Sequence, residues 1–135
     1  FNYSLNGLEC LPGEFFKGNA FEYLAWAKKR EKLFDIIVLD PPSFARFKGF
    51  SFNVQRDLDS LVEASSAVLA PAGFLMVSSN YSAFRLENFA QKALNNVKKI
   101  CGNAQIIWKR SQSADFVGTG LTKDSSLCAV LIQNL

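Results

Sequence analysis

The sequence contains no histidine. Within this stretch, catalytic triads built on an imidazole base and metal sites built on His ligands are therefore excluded, and no metal is expected. Cysteine is scarce as well. Cys10, Cys101 and Cys128 are an odd number with neither paired nor metal-type spacing, which points to reduced thiols in a reducing compartment rather than a disulfide framework. No apolar run approaches membrane-spanning length and no signal peptide is recognisable, so no membrane partner is expected and the cytoplasm is the expected location. A glycine-rich phosphate fingerprint is missing too: Gly118-Thr119-Gly120 lies between two strand candidates and opens no helix. Charge of neither sign dominates. Fifteen basic and 12 acidic side chains leave a net charge of +3, a mild excess compatible with nucleic acid and equally with solvated lysines. What remains, 135 residues of which 49% are hydrophobic and 20% charged, suits one globular domain with a sizeable core.

The most informative stretch is Phe34 to Phe44, FDIIVLDPPSF. An apolar, β-branched run without alternation reads as a strand buried on both faces, and Pro41, lacking an amide hydrogen, ends its ladder. Asp40 thus sits at the carboxyl end of a central strand, the edge at which open α/β sheets bind ligands. Asp before Pro is also ordinary turn chemistry. The second proline, followed by Ser43 and Phe44, makes a stiff loop able to hold a carboxylate and an aromatic ring over one cavity.

The rest falls into place around this strand. Residues 2 to 8 close a helix at Asn6-Gly7, Leu11-Pro12-Gly13 is a turn, and Glu14 to Lys17 is a short strand candidate. Asn19 then opens a helix, with Glu22 at capping-box spacing. Phe21, Leu24, Ala25 and Ala27 form its apolar stripe, and Lys28, Lys29 and Arg30 crowd its end, where cations suit the helix dipole. Residues 45 to 52 (ARFKGFSF) form a loop whose Phe47, Phe50 and Phe52 either fold onto the core or make a lip that stacks on a base. A helix from Asn53 to Ala70 buries Leu58, Leu61, Val62, Ser65, Val68 and Leu69 and stops at Pro71-Ala72-Gly73. Phe74 to Val77 is a second buried strand, with Ser78-Ser79-Asn80 at its carboxyl end. A helix from Arg85 to Ile100 buries Leu86, Phe89, Ala90, Ala93, Val97 and Ile100, and Gly102 ends it. Ala104 to Lys109 and Leu127 to Gln133 are the last strands, and residues 111 to 126 between them form a polar loop. Strand and helix alternate three times before two strands follow in succession. This pattern predicts an α/β, Rossmann-like sheet, mostly parallel, with helices on both faces and an antiparallel last strand.

The series Gly-Asn-Ala-Phe (18 to 21), Asp-Pro-Pro-Ser-Phe (40 to 44), Val-Gln-Arg-Asp (54 to 57), Pro-Ala-Gly-Phe (71 to 74), Ser-Ser-Asn (78 to 80) and Phe-Arg-Leu (84 to 86) resembles class I S-adenosylmethionine-dependent methyltransferases. More narrowly, it is similar to the bacterial enzymes acting on guanine N7 and cytosine C5 of large-subunit ribosomal RNA. The resemblance covers nearly the whole chain and implies the carboxyl-terminal part of one methyltransferase domain. The first two strands, the glycine-rich cofactor turn and the ribose-binding acid would belong to a missing amino-terminal part.

The resemblance further implies S-adenosyl-L-methionine as cofactor and ribosomal RNA as partner. It places Asn19, Ala20 and Asp40 at the cofactor, Asp40, Pro41 and Pro42 in the methyl-transfer cavity, and Phe44, Ser79, Asn80 and Arg56 at the substrate. Phe44 would stack on the target base. Arg56 would meet a phosphate, or else pair with Asp57 or Asp59. Cytosine-C5 relatives carry a nucleophilic Cys near the position of Ser79; here it is Ser, which favours guanine N7, a lone pair that needs only positioning. An exocyclic amine held by Asp40 is the next choice. Two other readings stand beside this one, a nonenzymatic RNA-binding or interaction fragment and an unrelated Rossmann-like nucleotide binder. Lacking the glycine-rich turn, the 135-residue piece by itself is expected to be inactive and to bind the cofactor weakly or not at all. A dissociation constant in the low micromolar range by calorimetry on the isolated piece contradicts this.

Overall fold

A parallel pairing joins two strands that lie far apart in the chain, β1 (Phe34–Leu39) and β4 (Leu69–Ser79), and the remaining elements build on it. The computed structural model describes residues 2–9, 11, 15–47, 49–111 and 127–135. Cys10, Pro12, Gly13, Glu14 and Lys48 therefore lie outside the described residues, as does all of the expected polar loop except Ser111. The elements run α1 (Asn2–Leu5), α2 (Ala20–Lys29), β1, β2 (Phe44–Phe47), β3 (Phe50–Asn53), α3 (Val54–Ser66), β4, α4 (Leu86–Cys101), β5 (Ala104–Ser111) and β6 (Cys128–Asn134). The main sheet has the order β1-β4-β6-β5, with β6 antiparallel to both of its neighbours. Three of its four strands thus point the same way, and the last is inserted in reverse, as the closing pair of strands predicts.

Local chemistry sets the helix ends. Asn19 has extended backbone, and its side-chain oxygen accepts from Phe21 N at 3.0 Å, capping α2. Asn53 caps α3 in the same way, accepting from Gln55 N at 3.0 Å. Gly102 ends α4 at φ 85°, a left-handed turn that suits glycine. Leu58, Leu61, Val62 and Ser65 of α3, with Phe89, Ala90, Ala93 and Val97 of α4, are buried along one stripe of each helix. They meet Leu75 and Val77 of β4 and Val130 and Ile132 of β6, all fully buried in one core cluster that also takes Leu24 and Ala27 of α2.

Several expectations need correction. The helix expected to reach Ala70 ends at Ser66, and β4 already begins at Leu69, so Pro71-Ala72-Gly73 lies inside a strand. The three residues form a bulge there. Against β1, Leu69 pairs with Phe34 but Phe74 with Ile36, because Pro71 cannot donate to the ladder and Ala72 takes φ 61°. Gly73 is required by close approach, since a Cβ would stand 2.8 Å from Ala70 O and 3.0 Å from Asp35 O. Burial of β1 on both faces holds for one face only: Ile37 and Leu39 pack on the core while Ile36 and Val38 are 68% and 60% exposed. A strand is covered twice only when layers lie on both sides of its sheet, and among the described residues no layer covers the side carrying Ile36 and Val38. Phe15 to Lys17 form no strand, and no strand among the described residues pairs with them. Phe15 and Phe16 instead make ring contacts with Tyr3 at 5.1 Å and Tyr23 at 5.3 Å. Ala25 and Ile100, expected in the core, are exposed.

The expected 45–52 loop is a β-hairpin, with β2 antiparallel to β3. A clamp holds it to α3. Arg56 pairs with Asp57 at 2.8 Å and donates to Ser51 O at 2.9 Å, while Asp57 also accepts from Asn53 N at 2.8 Å. The hydrogen bond from Arg56 holds the Asp57 carboxyl below its ordinary value, helped by the Asn53 amide. A carboxyl lowered on folding favours the folded chain above its unfolded-state value of about 4, and that contribution is lost as pH falls through the folded-state value. In denaturant melts, wild type is expected to lose its lead over Asp57→Asn on acidification below about pH 4; a constant gap contradicts the clamp. Leu75→Ala is expected to cost about 2–5 kcal/mol, against under about 0.5 kcal/mol for Ile36→Ala on the open face. Equal shifts in the two unfolding midpoints would contradict the assigned core.

Candidate functional site

Where β1 ends, its backbone hands over to a rigid corner. Leu39 is the last laddered residue, paired with Val77, so Asp40 emerges beside Ser78, the next residue of β4. Ser78 Oγ donates to Asp40 Oδ1 at 2.7 Å. Pro41 and Pro42 leave little freedom to the backbone that follows. A second tie closes the loop, with Ser43 Oγ donating to Asn80 Oδ1 at 3.3 Å, and Val54 N donates to Ser43 O at 3.0 Å across the base of the hairpin. The loop thus spans two fixed points on the carboxyl edge of β4.

Beside this corner lies a cleft of about 370 Å³. One wall is the start of α2 (Gly18, Asn19, Ala20 and Phe21), and the other is the end of β1 with its loop (Val38, Leu39, Asp40, Pro41 and Pro42). Ala45, Phe50 and Phe52 of the hairpin close it, with Leu61 of α3. The walls are largely apolar, with the Asn19 amide and the Asp40 carboxylate as polar marks. Asn19 Oδ1 spends one lone pair on capping α2, and the second remains for a donor.

The structure brings five of the expected site residues together on this cleft: Asn19, Ala20, Asp40, Pro41 and Pro42. It separates the other four. Ser79 is fully buried and its Oγ accepts from Tyr81 N at 3.3 Å; its neighbour Ser78, also buried, takes the place beside Asp40. Asn80 is exposed and tied to Ser43, outside the cleft lining. Phe44 is 51% exposed and does not line the cleft, because alternate residues of a strand point to opposite sides and Ala45 and Phe52 take the inner one. Arg56 is occupied in the ion pair that its sequence context offered as the second role.

Sequence reasoning passed over Ser78 and did not single out Phe50. Ser78 follows from strand register, which residue spacing does not reveal. Phe50 had a usable signal: alternation across Phe44 to Asn53 with Gly49 near its centre is a hairpin pattern, and it divides the aromatic residues between two faces. Phe50 meets Phe21 edge-on at 5.9 Å across the cleft, and Phe52 is buried.

The thiols stand apart from the cleft. Burial pushes both Cys101 and Cys128 up, against a smaller opposite pull from Arg85 on Cys128. Cys101 Sγ lies 3.6 Å from Ser66 O and Cys128 Sγ 3.8 Å from Phe84 O. Both thus keep their protons at neutral pH. Among the described residues no helix is long and apolar enough to cross a membrane.

No protein-family model matches the chain. Similar proteins are nonetheless found. Ribosomal RNA large subunit methyltransferase K of Neisseria meningitidis serogroup B is 33% identical over 102 residues, covering 73% of this chain and 29% of the relative. Ribosomal RNA large subunit methyltransferase K/L of Shewanella loihica is 35% identical over 95 residues, covering 69% and 13%. The chain therefore spans less than a third of either relative's length. Among solved structures, SMU.776 complexed with SAH superposes with a TM-score of 0.77 at 22% identity, over 97% of this chain and 34% of that one. A SAM-dependent methyltransferase from Agrobacterium tumefaciens gives 0.71 at 18% identity, over 99% and 44%. Strand order, the Asp-Pro-Pro corner and these likenesses agree: the chain has the fold of part of a class I methyltransferase domain and is similar in sequence to bacterial large-subunit ribosomal RNA methyltransferases.

Proposed function

We propose that the protein to which this chain belongs transfers a methyl group from S-adenosyl-L-methionine to a base of large-subunit ribosomal RNA, with the Asp40 corner as the reacting edge. The observation that carries this reading is the convergence of Asn19, Ala20, Asp40, Pro41 and Pro42 on one cleft at the carboxyl end of a parallel strand. The cleft fits part of the cofactor. Its apolar walls suit a flat heterocycle, Ala20 leaves room for one, and Asn19 offers its amide for in-plane hydrogen bonds. Bound there, the cofactor supplies a methyl group already activated by its sulfonium. The protein's task is then alignment and exclusion of water rather than proton transfer. The two prolines and the Ser78 hydrogen bond hold the Asp40 carboxylate in place, and Phe50 and Phe52 keep the adjoining space dry.

Guanine N7 is the favoured target. A cytosine C5 carbon becomes nucleophilic only after a thiolate adds to the ring, and the two cysteines among the described residues lie outside the cleft as protonated thiols. Guanine N7 already carries its lone pair. An exocyclic amine is the second reading, favoured by one observation. Asp40 accepts from Ser78 through Oδ1 alone, so Oδ2 is available to an amino hydrogen. In the alternative without chemistry, the same edge only binds RNA.

Nucleoside mass analysis of unmodified ribosomal RNA incubated with the intact protein and cofactor tests the proposal. We expect a methylguanosine whose formation falls by about a hundredfold or more in Asp40→Ala, with RNA retention unchanged. No methylated nucleoside, or full methylation by Asp40→Ala, would overturn it.

A further inference from the structure

The β2–β3 hairpin has two unlike faces. Ala45, Phe50 and Phe52 line the cleft. Phe44 and Arg46, two residues apart on β2, stand on the other side, facing Asn53 and Ser51 across the ladder. That outer face holds a ready-made stack, with the Arg46 guanidinium carbon 5.2 Å from the centroid of the Phe44 ring. Half of Phe44 is open to solvent, and among the described residues Arg46 forms no ion pair. Arg56, the nearby arginine, is committed to Asp57 and Ser51.

We infer that this outer face is a stacking platform for single-stranded RNA, taking a nucleotide next to the target base rather than the target itself. The inference rests on RNA being the substrate. Three observations favour this occupant. An exposed ring with a planar cation above it matches the π-face of any base together with its phosphate charge. Strand alternation puts Ser51 and Asn53, not apolar residues, on the same face of the hairpin as the ring, which suits a wet polyanion better than an apolar protein surface. The platform is also fixed relative to the reacting edge, because Phe44 directly follows Ser43, which is tied to Asn80 and Val54. Four chain steps separate it from Asp40, a reach of at most about 14 Å, which fits an adjacent nucleotide. When RNA binds, a base slides onto the Phe44 ring and Arg46 either covers its far side or turns to the phosphate.

The test measures affinity of the intact protein for a fluorescent single-stranded RNA of mixed sequence and for the same sequence as a duplex, with cofactor affinity followed by calorimetry. Phe44→Ala is expected to weaken single-strand binding roughly tenfold, with duplex and cofactor binding unchanged. Phe44→Tyr is expected to keep wild-type affinity. Arg46→Ala should weaken binding and flatten its dependence on salt by about one phosphate contact, while Arg46→Lys restores the salt slope but not the full affinity. The platform is overturned if Phe44→Ala binds the single strand as wild type does, as a docking face for another protein would give. It is equally overturned if Phe44→Tyr loses as much as Phe44→Ala, which marks a structural role. Should the intact protein bind no cofactor while the RNA series behaves as expected, the methyl-transfer reading fails and the platform stands.

Discussion

The pairing of β1 with β4 is the constraint on which the rest depends, because its register decides which side chain meets Asp40. Leu39 opposite Val77 puts Asp40 beside Ser78, and a 2.7 Å hydrogen bond follows. The bulge at Pro71-Ala72-Gly73 belongs to the same constraint. It absorbs the extra residues between the Leu69 and Phe74 pairings, with Gly73 leaving room for the Ala70 carbonyl, which would stand 2.8 Å from a Cβ, and for the nearby Asp35 carbonyl. A slip of one residue would set either Val77 or the buried Ser79 opposite the carboxylate in place of Ser78.

From that corner the structure divides its aromatic side chains by simple alternation. Phe50 and Phe52 share the inner face that lines the cleft, Phe52 buried and Phe50 beside Phe21, and Phe44 turns outward under Arg46. The hairpin is thus at once a wall of the cleft and a separate exposed surface, and the Arg56–Asp57 pair keeps both faces registered to α3. The same parity sets Ser78, not Ser79, against the Asp40 carboxylate.

Much of this was legible in the residues. The Asp-Pro-Pro junction, the helix opening at Asn19, the stripes of α3 and α4 and the reversed last strand all arise from local chemistry or from simple alternation of elements. What was hidden depends on partners. The bulge required knowing that Pro71 enters a strand laddered on both sides, and Ser78 required a register set by residues nearly 40 positions away. The open side of β1 is a matter of coverage: Ile36 and Val38 carry the sequence of a doubly buried strand, yet nothing among the described residues covers them. They mark the open apolar side of the sheet, on the very strand that delivers Asp40.

The central claim is that the cleft between the start of α2 and the Asp40 corner holds the cofactor. Photo-cross-linking of methyl-labelled S-adenosyl-L-methionine to the intact protein, followed by peptide mapping, addresses it directly. The account predicts label within this chain on peptides carrying residues 18–21, 38–42 or 45–52, suppressed by excess unlabelled cofactor. Specific label elsewhere in the protein, with none on those three segments, would contradict it.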